Sequence, residues 1–415
     1  MPQNQLVDHL FRHQYGRMVS ILTRIFGLKH LETIEDAVQD TFINAIKAWQ
    51  NGIPDNPEAW LTQAAKNRSL DLFRKLGAEQ SRIPKLDSGP SSIALGELFL
   101  DNEIADSQLR MIFTACNPAL NAQDQIAFSL KTISGFSQKE IAASLLLKEE
   151  TVKKRLIRAR KSIQQSGISF EIPSGKELPG RMNRVLEVLY LLFNEGFHST
   201  QQAFLIREDL CGEAIRLCKM LLEKKYTTTH SAHALFALMC FNTARLKSKL
   251  NTQNEVVSLR HQDRSTWDMA LIRLGHVHME HAVETDRFSN YHYEAAIAAE
   301  HATATTYEET NWANILHWYE LLDQVQPSPF NGLNRAVIYL QLKEFEKSRE
   351  LLESIEPAQL EQRAYLYYGL WAEYYSKKGE KEKSITAINR ALDLVSNEAE
   401  RTYLIGRREK YASHI

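Results

Sequence analysis

Between Lys148 and Lys161 seven Lys or Arg stand against two Glu, Glu149 and Glu150. The run follows a glycine break and a short amphipathic stretch, Gly135-Phe136-Ser137-Gln138-Lys139-Glu140-Ile141-Ala142-Ala143. Ile141, Leu145, Val152 and Leu156 fall where two short helices would pack together. A short helix, a turn and a basic second helix make a helix-turn-helix pattern. The first turn of such a second helix enters the major groove, and cations further along hold phosphates. Lys148, Glu150, Thr151, Lys153, Lys154, Arg155 and Arg158 are the expected duplex contacts.

A second cationic stretch runs from Trp60 to Lys85, with six Lys or Arg against Asp71 and Glu79. Trp60, Leu61, Ala64, Ala65, Leu70, Leu72 and Phe73 are interleaved with the charges. Cations attract phosphates, and an aromatic ring stacks on an unpaired base, so this face suits one strand of opened DNA. Trp60, Lys66, Arg68, Arg74 and Lys75 are the expected contacts. Upstream the sign reverses. Glu32, Glu35, Asp36 and Asp40 occur with no Lys or Arg between Leu31 and Phe42. Acidic residues suit a helix N-terminus on dipole grounds alone. Asp36, Gln39, Asp40 and Ile43 nevertheless share a face separate from the apolar stripe Ile34, Val38, Phe42, Ile46 and Trp49. A mixed acidic and apolar outer face is complementary to a basic partner helix.

The elements that must carry these residues are helices. Apolar periodicity is helical almost throughout, with no alternating strand and no Asn-Gly hairpin. Asp55-Asn56-Pro57 supplies an N-cap residue with Pro at the first helical position. Two breaker-rich stretches, Leu76 to Gly96 and Ser166 to Gly180, divide the chain. The domains expected are 5–80, 105–166 and 181–415, with linkers at 81–104 and 167–180. In the last domain Tyr368, Trp371, Ala372, Tyr375, Gly379, Ser384, Ile388 and Ala391 have the spacing of a tetratricopeptide unit. Arg335, Ala336, Tyr339, Phe345 and Ser348 form a weaker copy, with Tyr339 lying 36 residues before Tyr375. Stacked helix pairs of this kind make concave surfaces that bind a peptide or another domain.

The 415 residues are 44% hydrophobic and 24% charged with a net charge of −1, so nucleic-acid binding must come from local patches. No signal-peptide pattern or membrane-length apolar run is visible, which points to a cytoplasmic protein. The four cysteines lack zinc-like spacing and are expected to be buried thiols. His276, His278 and His281 do not share one helical face and lack an HExxH context, so no metal is expected. Asp263, Arg264 and Asp268 around Trp267 suggest a structural cluster, and Asn194-Glu195-Gly196 a helix ending on glycine. With no phosphate-cradling glycine loop and no nucleophile elbow, neither catalytic residues nor a cofactor are expected.

Three stretches together resemble the extracytoplasmic-function sigma factors of bacterial RNA polymerase. Ile34-Glu35-Asp36-Ala37-Val38-Gln39-Asp40-Thr41-Phe42 is similar to their polymerase-clamp-binding helix. Trp60 to Arg74 is similar to their promoter-melting segment, and Gly135 to Lys161 to their reader of the −35 element. Here Leu146 stands where Gly is common in the turn, and Lys148 where Ser is common before the second helix, which implies a wider or differently capped turn. Leu109 to Leu120, Tyr190 to Phe197 and Gln262 to Asp268 resemble signatures of one subgroup with a large tetratricopeptide-like C-terminal extension.

The resemblance implies an all-α, non-enzymatic initiation factor: a sigma region 2, a helix-turn-helix region 4 and a helical-repeat domain. Asp36, Gln39, Asp40 and Phe42 would dock on core polymerase. The loop from Asn51 to Pro57, with Asp55 and Asn56, would capture an unstacked −10 base. Core RNA polymerase and promoter DNA are the implied partners, with a protein or small-molecule regulator acting on the C-terminal domain and no membrane. The alternative is a helical-repeat interaction scaffold or ligand sensor with a sigma-like DNA-binding half.

Overall fold

The computed structural model describes residues 3–79, 101–145, 147–197, 206–251, 256–396 and 398–413. Among them the regular structure is helical, and the sole β pairing is an isolated bridge between Leu250 and Val256. The chain forms two compact units, Met1–Leu192 and Phe193–Ile415.

The first unit begins with α1 (Gln3–Phe26), α2 (Leu31–Ala48) and α3 (Pro57–Glu79). Asn56 caps α3, its Oδ1 accepting from the Ala59 amide at 3.0 Å, which is the start that Asn-Pro announces. Leu10, Met18, Leu22, Ile34, Val38, Phe42, Trp49 and Leu61 are buried. Ile46, expected in the same stripe, is exposed instead. It lies a turn beyond Phe42, on the side of α2 that the helix turns outward.

Four more helices follow: α4 (Asp101–Ala115), α5 (Ala122–Thr132), α6 (Gln138–Ser144) and α7 (Glu149–Gln165). Asn121 caps α5 by accepting from the Asp124 amide at 2.8 Å. Ser137 and Glu140 close a reciprocal capping box on α6. Ile141, Val152 and Leu156 are fully buried and Leu145 half-buried, so the helix-turn-helix packs on the expected residues. Lys148 sits at the N-cap of α7 in extended backbone without a side-chain cap, and Glu149 and Glu150 fill the acidic first turn. Leu146 lies outside the described residues.

The stretch 166–180 is short and largely structured. It contains a 3-10 turn at Gly175–Glu177, and α8 (Leu178–Phe197) starts inside it. The division between the compact units falls within α8, after Leu192. Gly196 does not end this helix, which continues to Phe197. A Cβ at Gly196 would sit 2.8 Å from both the amide nitrogen and Sγ of Cys211, so the glycine serves close helix approach.

The second unit continues with α9 (Glu208–Leu222), α10 (His230–Ala244), α11 (Met269–Ala282), α12 (Asn290–Thr303), α13 (Trp312–Val325), α14 (Pro329–Gln341), α15 (Phe345–Glu353), α16 (Ala364–Lys377), α17 (Lys381–Leu394) and α18 (Glu398–Ser413). The pairs α14–α15 and α16–α17 repeat several contacts at a 36-residue offset. Ser348 Oγ donates to the Ala336 carbonyl at 2.9 Å, and Ser384 Oγ to that of Ala372 at 2.8 Å. The Glu344 and Glu380 amides donate to the Tyr339 and Tyr375 carbonyls, each at 2.9 Å. Lys347 lies over the Tyr339 ring at 5.6 Å, and Lys383 over Tyr375 at 5.5 Å. Both turns pass through the left-handed region, at Lys343 with φ 62° and at Gly379 with φ 79°.

Elsewhere in this unit the polar residues serve structure. Asp268 caps α11 and Asp263 caps the turn before it. Arg264 clamps the His301 and Ala304 carbonyls at 2.7 and 2.6 Å while stacking over Trp267. The cluster is therefore built from caps and carbonyl contacts in place of ion pairs. All four cysteines are buried thiols outside any disulfide. His278 and His281 do approach a third histidine, but it is His233 of α10, whose Nδ1 lies 2.8 Å from that of His278. No His, Cys, Asp and Glu grouping among the described residues could hold a metal.

Candidate nucleic-acid and polymerase interfaces

On α2, Asp36 is exposed and Gln39 and Asp40 are half-buried. Ile43 is 49% and Ile46 39% exposed. These residues recur every three or four positions, so they form one continuous outer stripe. The sequence placed Ile46 in the core because its spacing also fits the core stripe. Phe42 does not belong to the stripe. It is buried, with its ring edge-on to Phe11 at 4.9 Å, and so cannot touch a partner without unpacking the domain.

Two of the expected sites touch each other. Arg68 of α3 donates to Asp40 of α2 at 2.8 Å, so part of each expected surface is spent on the other. Trp60 is half-buried and stands edge-on to buried Trp49 at 5.4 Å. This packing leaves only part of its ring for a base. Asp55 is exposed, while the Asn56 side chain is occupied as the cap. Lys66, Arg74 and Lys75 lie on α3, but their side chains fall outside the described residues.

On α7 the cations divide by chemistry. Lys148, Lys153, Lys154 and Lys161 are exposed. Glu150 is exposed too, 4.0 Å from Lys154, and Thr151 is half-buried. The arginines are tied inward. Arg155 donates to Gln123 at 2.7 Å, and Arg158 forks onto both oxygens of buried Asp124 at 2.9 and 3.2 Å. Asp124 raises the guanidinium pKa of Arg158 by hydrogen bonding and charge. Arg158 thus braces α7 against the start of α5 while its side chain stays 57% exposed. Ile157 is 53% exposed in the middle of the lysine ridge. Sequence reasoning passed over it, although an apolar residue flanked by cations suits a thymine methyl.

The third tied arginine joins the two blocks. Arg160 of α7 pairs with Glu35 of α2, whose side chain is 3% exposed against 19% for the arginine. The Tyr15 hydroxyl donates to the same carboxylate at 3.4 Å, and Lys131 lies over the Tyr15 ring at 5.6 Å. Burial, then Glu35, pushes the Tyr15 pKa well up, and burial lowers that of Lys131. Arg24 reaches Asp106 at 3.6 Å. A Cβ on Gly16 would lie 1.7 Å from the Ile133 carbonyl oxygen, so α1 meets the second block backbone to backbone. Glu35 carried no functional signal in the sequence because a partner 125 residues away leaves none.

Comparison with known proteins matches residues 10–79 to sigma-70 region 2 and residues 110–163 to sigma-70, region 4. Residues 181–283 match a family of unknown function (DUF6596). The chain is 33% identical over 383 residues to the uncharacterized protein R00370 of Rhizobium meliloti, covering 91% of this chain and 89% of that one. It is 30% identical over 165 residues to the ECF RNA polymerase sigma factor SigE of Mycolicibacterium smegmatis, covering 38% of this chain and 60% of that protein. It is 29% identical over 153 residues to the RNA polymerase sigma factor CnrH of Cupriavidus metallidurans, covering 35% of this chain and 79% of that protein. The region 2 match contains the acidic stripe and the region 4 match the lysine ridge, and the chain belongs to the extracytoplasmic-function sigma factors, with a helical extension behind region 4.

Proposed function

We propose that this chain binds core RNA polymerase and directs it to promoters, the polymerase supplying all the chemistry. The stripe Asp36, Gln39, Asp40, Ile43 and Ile46 docks on a basic helix of the polymerase. The α3 face with Trp60, Lys66, Arg74 and Lys75, beside Asp55, holds the melted strand, while Arg68 braces α3 on Asp40 and Asn56 caps the helix. Lys148, Glu150, Thr151, Lys153, Lys154 and Ile157 face the −35 duplex, while Arg155 and Arg158 hold the reading helix rigid. The observation that carries the reading is the order of the two sigma-70 regions, with Asp36, Ile43 and Ile46 exposed in the first and Lys148, Lys153 and Lys154 exposed in the second.

The packed pair must separate to work. Elements at −10 and −35 lie roughly 25 base pairs apart, about 85 Å of duplex at 3.4 Å each. A closed pair joined at Glu35 and Arg160 cannot span that distance, since α7 itself is only about 25 Å long at 1.5 Å per residue. The C-terminal helical unit, whose 36-residue repeat supports a tetratricopeptide-like reading, controls that separation through a regulator it binds.

Run-off transcription with purified core polymerase tests the proposal. The full chain should give a discrete transcript from its own upstream region, and Asp36→Arg with Ile43→Asp should abolish it along with polymerase binding. Retained binding in that double variant overturns the docking assignment. Deleting residues 198–415 should change the transcript yield in either direction. An unchanged yield overturns control by the extension.

A further inference from the structure

The second unit encloses a cavity of about 650 Å³ lined by Tyr307, Trp312, Tyr319, Tyr403 and Tyr411 as its rings. Lys377, Arg260, Arg407 and Lys410 line the same cavity with one acidic lining residue, Glu373, while Glu308 outside the lining pairs with Arg260 at 3.4 Å. Arg407 is held by Glu373 at 3.1 Å and lies over the rings of Tyr411 and Tyr403, while Arg260 lies over Tyr307 at 5.6 Å. Behind the cavity wall stand more cations. Arg245 and Lys249 flank the Phe197 ring at 4.9 and 3.6 Å, and Arg264 clamps the carbonyl of His301. None of these three makes an ion pair among the described residues.

Grouping like charges away from water without carboxylates is costly. The cost shows in their protonation. Burial and Arg245 push the Lys249 pKa down to about 7, and burial with Arg264 pushes Arg245 down to about 10. His301 sits between the two groups. It lines the cavity, its ring stands edge-on to Trp312 at 5.5 Å, and its Nδ1 is buried with no hydrogen-bond partner. Burial and the neighbouring Arg245 and Arg264 hold its pKa down to about 3, so the ring is neutral and can donate one N–H. A buried polar atom without a partner is uncommon in a finished fold and calls for a ligand atom. Aromatic walls, an excess of positive charge and one spare imidazole nitrogen together describe a complementary guest.

We infer that this cavity is a binding site for a small aromatic anion, an aryl carboxylate, sulfonate or phosphate, seated between the rings and accepting from His301. Cations at the mouth draw the guest in, and the cations behind His301 stabilise its charge. The site belongs to the helical extension alone and does not depend on the sigma activity.

Fluorescence titration of the full chain with anilinonaphthalene sulfonate, against phenylnaphthylamine as the same rings without the sulfonate, tests this. One saturable site per chain is expected for the anion, with the neutral probe bound at least about tenfold more weakly. His301→Phe keeps the ring and should weaken the anion roughly tenfold while sparing the neutral probe. Lys377→Gln with Lys410→Gln, both exposed and remote from the core, should weaken the anion about fivefold. Equal affinity for the two probes, several sites per chain, or variants that bind the sulfonate like the parent would each overturn the assignment. Far-ultraviolet dichroism of each variant separates loss of the site from loss of the fold.

Discussion

Replacing Arg160 with Ala should open the packed sigma regions. The variant strips the buried Glu35 carboxylate of its partner, and removing one member of a buried ion pair costs about 3–5 kcal/mol. Glu35 is 3% exposed, so solvent screens little of this. Lys131 remains close enough to feel the carboxylate, which argues for the lower half of the range. In the separated state both residues meet water and the substitution costs almost nothing. The closed-to-open equilibrium therefore moves by on the order of a hundredfold or more, at 1.4 kcal/mol per decade. Because the native cysteines are all buried, cysteines placed at exposed Lys47 and Lys154 can be labelled selectively for energy transfer. The parent should report a dominant high-transfer state, and Arg160→Ala a dominant low-transfer state with faster abortive initiation at limiting sigma. Glu35→Gln with Arg160→Leu removes both charges and should restore closure. If Arg160→Ala keeps the parent's transfer efficiency, or the double variant opens as far as the single one, the pair is not what holds the regions together.

Three further outcomes follow from the same geometry. Lys153→Gln with Lys154→Gln should flatten the slope of log affinity against log salt by about 1.8, at 0.9 per phosphate contact, without lowering the melting temperature; Arg158→Glu should lower both, because it sets a second carboxylate against buried Asp124. Lys343→Gly should stabilise the second unit by about 1 kcal/mol and Gly379→Ala destabilise it by about as much, each seen as a shift of roughly 2–4 °C in thermal melting, since both positions have positive φ. Acid should loosen the second unit: His301 has a folded pKa of about 3 against an unfolded value near 6.5, so the unfolded chain binds the extra proton and stability falls as pH drops through 6.5. Between pH 7 and 5 this amounts to about 2 kcal/mol, and His301→Phe should remove that part of the urea-midpoint shift.

Much of the fold was legible because local signals and tertiary structure agree. Asn56-Pro57 starts α3, Ser137 with Glu140 starts α6, and Ile141, Val152 and Leu156 close the helix-turn-helix. The repeat was legible too, down to the serines at 348 and 384. Failures came where one period serves two faces. Ile46 and Phe42 are four apart on α2, and only packing decides that Phe42 meets Phe11 while Ile46 faces outward. Gly196 failed for a related reason. A glycine near a helix end suits a cap, yet here the approach of Cys211 demands it. Charge was the least legible property, since a basic residue in a basic run gives no sign of whether an acid waits across the fold.

That last point changes how the DNA-facing surface works. Arg68, Arg155, Arg158 and Arg160 all bond inward, to Asp40, Gln123, Asp124 and Glu35. The exposed cations of α7 that make no bond to another helix are lysines, while Arg158 is exposed but bonded to Asp124. The division fits their chemistry: guanidinium forks hold planar acceptors in fixed geometry, and ammonium groups act as mobile point charges on phosphates. Attraction to DNA can then be strong and salt-sensitive without disturbing the frame that sets the reading helix. Among the four arginine contacts, Arg160 differs in kind, because its acceptor belongs to the other block. Binding that separates the blocks must break this contact and repay its loss from new contacts on both surfaces. If the proposed surfaces are right and a single one engaged alone gains too little, engagement of polymerase and of duplex would be mutually dependent, and the chain would commit to DNA chiefly when the enzyme is already present.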